Sequence, residues 1–168
     1  MIYENRFYVT KEMYREYARK VLSRSVYRIG GILDSICILL IIIGLVSGDT
    51  TLLCYYAIAF LLITGILIIT PRMMLKQLWD YDRRIHMGQR PECTVLFGER
   101  ISMTEGKCSV EIEYDQVIAI YKMKTCNIVM FTKNNGILYT DEGFDEKRTQ
   151  FDEYILQACK NVEKIKYL

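Results

Sequence analysis

The stretch ILLIIIGLVSGDTTLLCYYAIAFLLITGILIIT, residues 38–70, constrains the fold more than any other part of this chain. A helix needs about 20 apolar residues to cross the hydrocarbon core of a bilayer. Residues 29–47 and 51–70 each supply such a run. Two runs of this length hold more apolar surface than the core of a 168-residue soluble protein needs. The sequence therefore predicts a transmembrane helical hairpin over residues 29–71.

The segment that separates the two runs reads as a tight turn. Its sequence is Ser-Gly-Asp-Thr, residues 47–50. Glycine commonly ends a helix, and Asp or Thr commonly caps the start of the next one. The first thirty residues are polar and basic, unlike a secretory signal peptide, whose apolar core stands near the start. We therefore expect both apolar runs to be part of the mature structure.

Basic residues stand on the outer side of both runs, and the turn between them has none. They are Arg15, Arg19, Lys20, Arg24 and Arg28 before the first run, and Arg72, Lys76, Arg83 and Arg84 after the second. Segments that remain in the cytoplasm carry an excess of Lys and Arg. The sequence thus predicts a multi-pass protein of the cell membrane, with the lipid bilayer as a partner, both termini in the cytoplasm and the turn outside.

Asp34 is the one charged residue within the predicted spans. An intramembrane carboxylate is a candidate for a proton or ion path. The other interpretation is a residue near the cytoplasmic end of the first helix that reaches headgroup water or a basic neighbour. A transport path needs several polar groups, and only Ser35 and Thr64 accompany Asp34, so we prefer the second interpretation. Gly44 and Gly65 are candidates for close helix approach.

The residues before the hairpin, 1–28, predict a short strand followed by an amphipathic helix. The run RFYVT is strand-like, and Thr10 is a candidate N-cap for the helix. The apolar face of that helix contains Met13, Tyr14, Tyr17, Val21 and Leu22. Tyrosines and basic residues suit a membrane interface, so we expect this helix to lead into the bilayer.

The residues after the hairpin, 72–89, predict a membrane-proximal helix that continues the second span. Asp82 and His86 are four residues apart on it and could face one metal ion. A metal site requires more than two ligands. The surrounding charges fit a solvated helix better, so no metal is expected here.

Residues 90–168 change to a period of two. Val110, Ile112 and Tyr114 alternate with polar residues, which is typical of a half-buried strand. Glu105-Gly106 and other glycine-containing pairs mark turns. The last segment has a helical period, with an apolar stripe made of Phe151, Tyr154, Ile155, Ala158, Cys159 and Val162. We predict an α+β membrane protein in which a small antiparallel β-sheet or barrel, capped by a C-terminal helix, follows the hairpin.

In its order of segments the chain resembles the YcxB-like family of small bacterial membrane proteins. The resemblance rests on the N-terminal F-x-V-T run, the hairpin, and the segments VLFGERISM, EYDQVIAIYKMK, IVMFT and GFDEKRTQFDEYI. The family's apolar and aromatic positions are matched by Val95, Phe97, Ile101, Tyr114 and Phe144. The resemblance implies a pleckstrin-homology-like (PH-like) cytoplasmic domain over residues 90–168, with seven strands and a capping helix. It implies no biochemical activity.

The sequence contains none of the common catalytic or cofactor-binding motifs. It has no nucleophile elbow, no P-loop, no dinucleotide fingerprint and no H-E-x-x-H pair. Its six cysteines form no C-x-x-C pair and there is one histidine, which argues against a zinc site of the usual spacing. Cys126 is a candidate nucleophile, but nothing in the sequence places a base beside it. Glu111, Glu113 and Asp115 are interpreted as the solvent-exposed face of a strand. We expect no enzyme activity and no cofactor.

Two functions from different classes remain. The first is a non-enzymatic bacterial inner-membrane protein that presents a small cytoplasmic domain, which binds a protein partner or docks on the membrane. The second is a small transporter accessory or oligomeric pore that uses Asp34. A net charge of +2 argues against nucleic acid as a partner. A homo-oligomer is compatible with either function.

Overall fold

The structure, a computed structural model, describes residues 2–144 and 148–168, and for Arg148 and Thr149 only the backbone. The described residues divide into two compact units, residues 17–77 and residues 2–16 with 78–168. We call them the hairpin unit and the sheet unit. The described helices are α1 (Lys11–Tyr17), a following π-helical turn (Ala18–Leu22), α2 (Arg24–Ser47), α3 (Thr50–Ile85), a 3-10 turn (Tyr114–Gln116) and α4 (Arg148–Ala158). The described strands are β1 (Tyr3–Tyr8), β2 (Glu92–Phe97), β3 (Ile101–Glu105), β4 (Cys108–Ile112), β5 (Ala119–Lys122), β6 (Asn127–Met130), β7 (Gly136–Tyr139) and β8 (Lys166–Tyr167).

The turn between α2 and α3 forms as predicted. Gly48 follows the last residue of α2 in the left-handed conformation, with φ of 71°. Asp49 caps α3, because its Oδ1 accepts hydrogen bonds from the backbone N–H groups of Thr51 and Leu52 at 3.0 and 3.1 Å. Gly48 and Asp49 thus act at the two helix ends, where backbone groups would otherwise be unpaired. The cap and the stop are both encoded within a few residues.

Glycines allow the two helices of the hairpin unit to approach each other. A Cβ at Gly44 would lie 3.2 Å from the backbone nitrogen of Leu53, so the prediction for Gly44 is confirmed. The prediction for Gly65 is wrong, because a Cβ there would meet nothing within 4 Å. Gly30 is the second close position, where a Cβ would lie 2.5 Å from the side chain of Leu67. The sequence alone does not say which face of each helix meets the other.

Both helices of the hairpin unit are long and apolar enough to cross a membrane. They contain 24 and 36 residues, and large apolar side chains are exposed along both of them. The helix α3 passes through Pro71 and ends at Ile85. The predicted continuation of the helix past the second apolar run is therefore confirmed as far as Ile85, and residues 72–85 are part of the same helix rather than a separate element.

The sheet unit contains two four-stranded sheets within the described residues. The strand order is β1-β2-β3-β4 in one sheet and β7-β6-β5-β8 in the other. All neighbours are antiparallel except β5 and β8, which pair in parallel. The strands do not close into a barrel, so only the sheet alternative of the sequence prediction holds. The alternating apolar residues place Val95, Phe97 and Ile101 in the core, fully buried.

The N-terminal strand belongs to the sheet unit, which differs from the predicted division at residues 28 and 90. All six residues of β1 pair with β2, from Tyr3 opposite Phe97 to Tyr8 opposite Glu92. Asn5 is fully buried and bonds the backbone of Thr140 twice, donating from Nδ2 to its oxygen at 2.7 Å and accepting from its N–H at 3.0 Å. The strand thus joins both sheets.

Residues 11–16 of the short helix α1 are also part of the sheet unit. Thr10 Oγ1 accepts a hydrogen bond from the backbone N–H of Met13, as predicted for an N-cap. Glu16 accepts hydrogen bonds from the backbone N–H groups of Lys124 and Thr125 at 3.0 and 2.8 Å, in the turn before β6. Met13 is buried. Part of the face that was predicted to lie at a membrane interface is therefore buried within the protein.

The C-terminal helix packs part of its predicted stripe into the core. Phe151 and Ile155 on α4 are almost completely buried. Cys159 and Val162 are also buried, but they follow the end of α4 at Ala158, so the helix is shorter than predicted. The ring of Phe151 contacts those of Phe97 and Phe144, with centroids 4.7 and 4.4 Å away. The predicted start of the helical segment at residues 145–147 lies outside the described residues. The described helix covers an aromatic cluster between the two sheets, which confirms the prediction that a C-terminal helix closes the fold.

Candidate functional site

Asp34 lies on α2 and faces α3. Its Oδ2 accepts a hydrogen bond from Thr64 Oγ1 at 3.2 Å. Its Oδ1 is buried and has no hydrogen-bond partner among the described residues. The sequence interpretation expected headgroup water or a basic neighbour as the partner, whereas the hydrogen bond found here crosses between the two helices. Thr64 is one of the polar residues of the two apolar runs.

A second group of polar side chains collects in the sheet unit, where α3 ends. Asp82 and His86 are one helical turn apart and share a face of the helix. The chain leaves the helix immediately afterwards: Met87 has φ of 52°, and the Gly88 N–H donates to the Arg83 carbonyl at 2.9 Å. This is the Schellman arrangement that ends many helices. It places the ring of His86 at the last turn.

Glu105 brings a second carboxylate to the same place. It is the last residue of β3, directly before a turn in which Gly106 has φ of 58°. A Cβ at Gly106 would lie 3.4 Å from Cδ2 of His86, so the turn and the ring are in close contact. Glu105 is 8% exposed, which is unusual for a carboxylate. The strand therefore ends with an acidic side chain in the interior.

The three side chains converge on a small volume. One potential ligand atom each from Asp82, His86 and Glu105 lies within 4.8 Å of the other two. His86 Nδ1 is 3.3 Å from Asp82 Oδ1. The other ring nitrogen, Nε2, is 3.3 Å from the backbone carbonyl oxygen of Glu105. We call these three residues the Asp-His-Glu cluster.

The hydrogen bonds around the cluster orient its members. A carbonyl oxygen can only accept, so Nε2 of His86 is the donor in its contact with the backbone of Glu105. In the neutral ring this leaves the lone pair on Nδ1. Asp82 Oδ1 accepts a hydrogen bond from Tyr14 Oη at 3.2 Å. The ring of Tyr14 packs edge-on against Trp79, with centroids 6.2 Å apart.

Burial and negative charge dominate the electrostatics of the cluster. Burial raises the pKa of the Glu105 carboxyl and the charge of Asp82 raises it further, while His86 partly offsets the shift. Burial, followed by the charges of Asp82 and Glu105, also raises the pKa of Tyr14. Burial and then Glu105 raise the pKa of the Cys93 thiol to about 12. Cys93 and Tyr14 therefore stay protonated at neutral pH, and the local field favours a cation.

The sequence interpretation of Asp82 and His86 as residues of a solvated helix face is wrong. Their side chains are 14% and 7% exposed. For Glu105 the sequence predicts only a place in a turn. One signal was present: Ile101, Met103 and Glu105 alternate along β3, so Glu105 shares a face with the buried Ile101. Nothing in the local pattern connects that face with a helix about twenty residues earlier.

The other residues singled out in the sequence take structural positions. Cys126 is buried just before β6. Glu111 is exposed on β4, which confirms that it lies on the solvent-exposed face of a strand. Glu113 and Asp115 are also exposed, but they lie beyond the end of β4, at a 3-10 turn over Tyr114–Gln116, so the prediction of a strand is wrong for these two residues. Arg100 forms ion pairs with Glu111 and Glu113 at 3.4 and 2.8 Å. These exposed pairs contribute little to stability.

Comparisons with protein-family models, with curated proteins and with solved structures find no match for this chain.

Proposed function

We propose that the chain is a non-enzymatic bacterial inner-membrane protein in which the hairpin unit anchors a cytoplasmic sheet unit, and that the sheet unit binds a protein partner or docks on the membrane. The observation that carries the proposal is the exposed apolar surface of α2 and α3, with Ile32, Leu39, Leu61 and Ile66 each more than half exposed. Continuous apolar surface of this extent requires a cover. A bilayer covers both helices at once.

The separate sheet unit supports the second half of the proposal. It has its own buried core. The resemblance to the YcxB-like family and its PH-like domain agrees with a binding role. The basic residues that flank the apolar runs favour a cytoplasmic location for this unit and for both termini.

Cysteine labelling tests the orientation. The native Cys159 is a poor reporter because it is fully buried. Cys54 is exposed near the turn and must first be replaced by serine to lower the background. In that background, Thr50→Cys should react with a membrane-impermeant maleimide in intact cells. Ser109→Cys, at an exposed position on β4, should react only after permeabilisation.

The Cys54→Ser parent without either added cysteine gives the baseline for both measurements. Labelling of Ser109→Cys in intact cells would refute the cytoplasmic location. Recovery of the protein in the soluble fraction after lysis would refute the anchor itself.

The second candidate function, an accessory of a transporter or an oligomeric pore, draws on Asp34. Its Oδ1 is buried without a hydrogen-bond partner among the described residues, between two helices that we propose to be in lipid. An unpaired carboxylate oxygen is costly in such a place and is a reason to consider ion or proton binding.

Asp34→Asn separates the two functions. If the anchor proposal holds, this variant should insert into the membrane at the normal level, and ion flux in vesicles should be the same as for the parent. The amide can still accept the hydrogen bond from Thr64, so helix packing should be retained. Thr64→Val is the matched control for loss of that hydrogen bond alone. A pH-dependent flux that Asp34→Asn abolishes and Thr64→Val preserves would favour the second function.

A further inference from the structure

We infer that the Asp-His-Glu cluster is a binding site for a divalent transition-metal ion, with Asp82, His86 and Glu105 as its protein ligands. This site is independent of the proposed anchoring function, since all three residues lie within the sheet unit.

The first observation is an unpaired ring nitrogen. The side chain of His86 is 7% exposed, and its Nδ1 has no hydrogen-bond partner among the described residues. Asp82 Oδ1 is 3.3 Å away, but the two atoms do not meet in hydrogen-bonding geometry. Buried polar atoms are nearly always satisfied. A cation placed between this nitrogen and the carboxylates would satisfy all of them.

The second observation is the fixed orientation of the ring. Histidine ligands of metal ions commonly donate their other N–H to a backbone carbonyl or a carboxylate, which fixes the tautomer and the ring plane. The contact of Nε2 with the backbone oxygen of Glu105, at 3.3 Å, has this form. It presents the unprotonated Nδ1 toward Asp82. The same residue, Glu105, thus orients the histidine through its backbone and supplies a ligand through its side chain.

The third observation concerns distances. In a tetrahedral zinc site with bonds of about 2.1 Å, neighbouring ligand atoms lie about 3.4 Å apart. The separation of 3.3 Å between His86 Nδ1 and Asp82 Oδ1 agrees with this edge. One carboxylate oxygen of Glu105 lies within 4.8 Å of a ring nitrogen of His86 and of a carboxylate oxygen of Asp82, so a small side-chain adjustment brings it to the ion. Solvent or a ligand would complete the coordination.

The donor set decides the class of metal. One imidazole nitrogen and two carboxylates suit Zn²⁺, Fe²⁺ and Mn²⁺. Ca²⁺ and Mg²⁺ prefer oxygen ligands alone, and Ca²⁺ needs more of them than this cluster supplies. An ion bound here would connect the last turn of α3 with the β3–β4 turn. Metal binding should therefore raise the thermal stability of the sheet unit, because the ion binds the folded state.

The competing account is an ion pair in which His86 is protonated on both nitrogens and Asp82 is its partner. That account needs no metal. It predicts that added Zn²⁺ leaves the environment of His86 unchanged. The two accounts therefore differ in a measurement made directly on the ring.

His86 is the single histidine of the chain, so every histidine ring resonance belongs to it. The experiment uses the full chain in detergent micelles, produced without a histidine tag, stripped with a chelator and carrying ¹³C-labelled histidine. Zn²⁺ should shift the two ring C–H resonances and saturate at one equivalent. Mn²⁺ at a low molar ratio should broaden them, whereas Ca²⁺ should leave them in place.

Asp82→Asn and Glu105→Gln test the other ligands. Removal of a direct ligand should weaken Zn²⁺ binding at least about 100-fold, since loss of even an outer hydrogen-bond partner costs 10–100-fold. Glu99→Gln is the matched control, because Glu99 is exposed beyond the opposite end of β3. It should bind Zn²⁺ as the parent does.

Ring resonances that stay in place with excess Zn²⁺ would overturn the inference. So would saturation that persists with unchanged affinity in both Asp82→Asn and Glu105→Gln. If either variant does not fold, the titration of the parent chain still decides, because it requires no substitution.

Discussion

Replacing the three inward-facing residues of β1 with serine, as Tyr3→Ser, Asn5→Ser and Phe7→Ser together, should unfold the sheet unit. Tyr3 and Phe7 are 5% and 7% exposed and Asn5 is fully buried. Loss of one large buried aromatic side chain costs about 3–5 kcal/mol. Loss of the two Asn5 bonds leaves the backbone N–H and C=O of Thr140 unpaired, at about 1–3 kcal/mol each. The total is comparable with the entire stability of a small domain.

The matched control uses the same strand and the same number of changes on its other face. Glu4, Arg6 and Tyr8 alternate with the inward residues and are partly or fully exposed. Serine at these three positions keeps the pairing with β2 and should change stability by less than about 2 kcal/mol in total. The fluorescence of Trp79, the single tryptophan and part of the sheet unit, reports urea unfolding of the full chain in detergent.

Equal unfolding midpoints for the two triple variants would show that β1 is not part of the core. This experiment also bears on the predicted domain boundary. If the folded unit began at residue 90, none of the six substitutions would change its stability. The pairing of β1 with β2 instead predicts that residues 90–168 alone lack a strand they need.

Phe151→Ala should lower the free energy of unfolding by about 3–5 kcal/mol. The ring is 1% exposed and lies among Tyr3, Phe97, Tyr139 and Phe144, with centroid distances between 4.4 and 5.5 Å. Such edge-on and tilted aromatic contacts add to the loss of buried area. The alanine leaves a cavity that residues from both sheets and α4 line, and these elements cannot all collapse into it.

Lys160→Ala and Glu163→Ala are the controls for this prediction, because both side chains are exposed beyond the end of α4. Each should shift the urea midpoint only slightly. The slope of the transition should be the same for all three variants if only the folded state is affected. A midpoint for Phe151→Ala equal to that of the parent would show that α4 does not pack on the sheets.

The features that the sequence predicts correctly are those that neighbouring residues encode. The hairpin turn depends on Gly48 and Asp49, which act on helix ends within three residues of themselves. The stripe of α4 follows from a periodicity of 3.6 residues. Long apolar runs are likewise a property of contiguous sequence. Such features need no knowledge of the rest of the chain.

The prediction of a solvated Asp82 and His86 failed for the opposite reason. Both residues are surrounded by charges along the helix, and local charge is a good guide only when nothing packs on that face. Glu105 and Tyr14 come to this face from β3 and α1, at distant positions in the chain. The register of a strand pair and the face that it presents are decided by the packing of the whole sheet.

The sequence by itself determined that this chain has two apolar helices joined by a capped turn, followed by short strands and an amphipathic C-terminal helix. Apolar run length, period and capping are local, so they could be read directly. Only the tertiary structure decided that residues 3–8 complete the sheet unit, that Asp34 bonds Thr64, and that Asp82, His86 and Glu105 meet. Asn5 and Thr140 are 135 residues apart, and the contact between them depends on how the two sheets pack rather than on any neighbour in sequence.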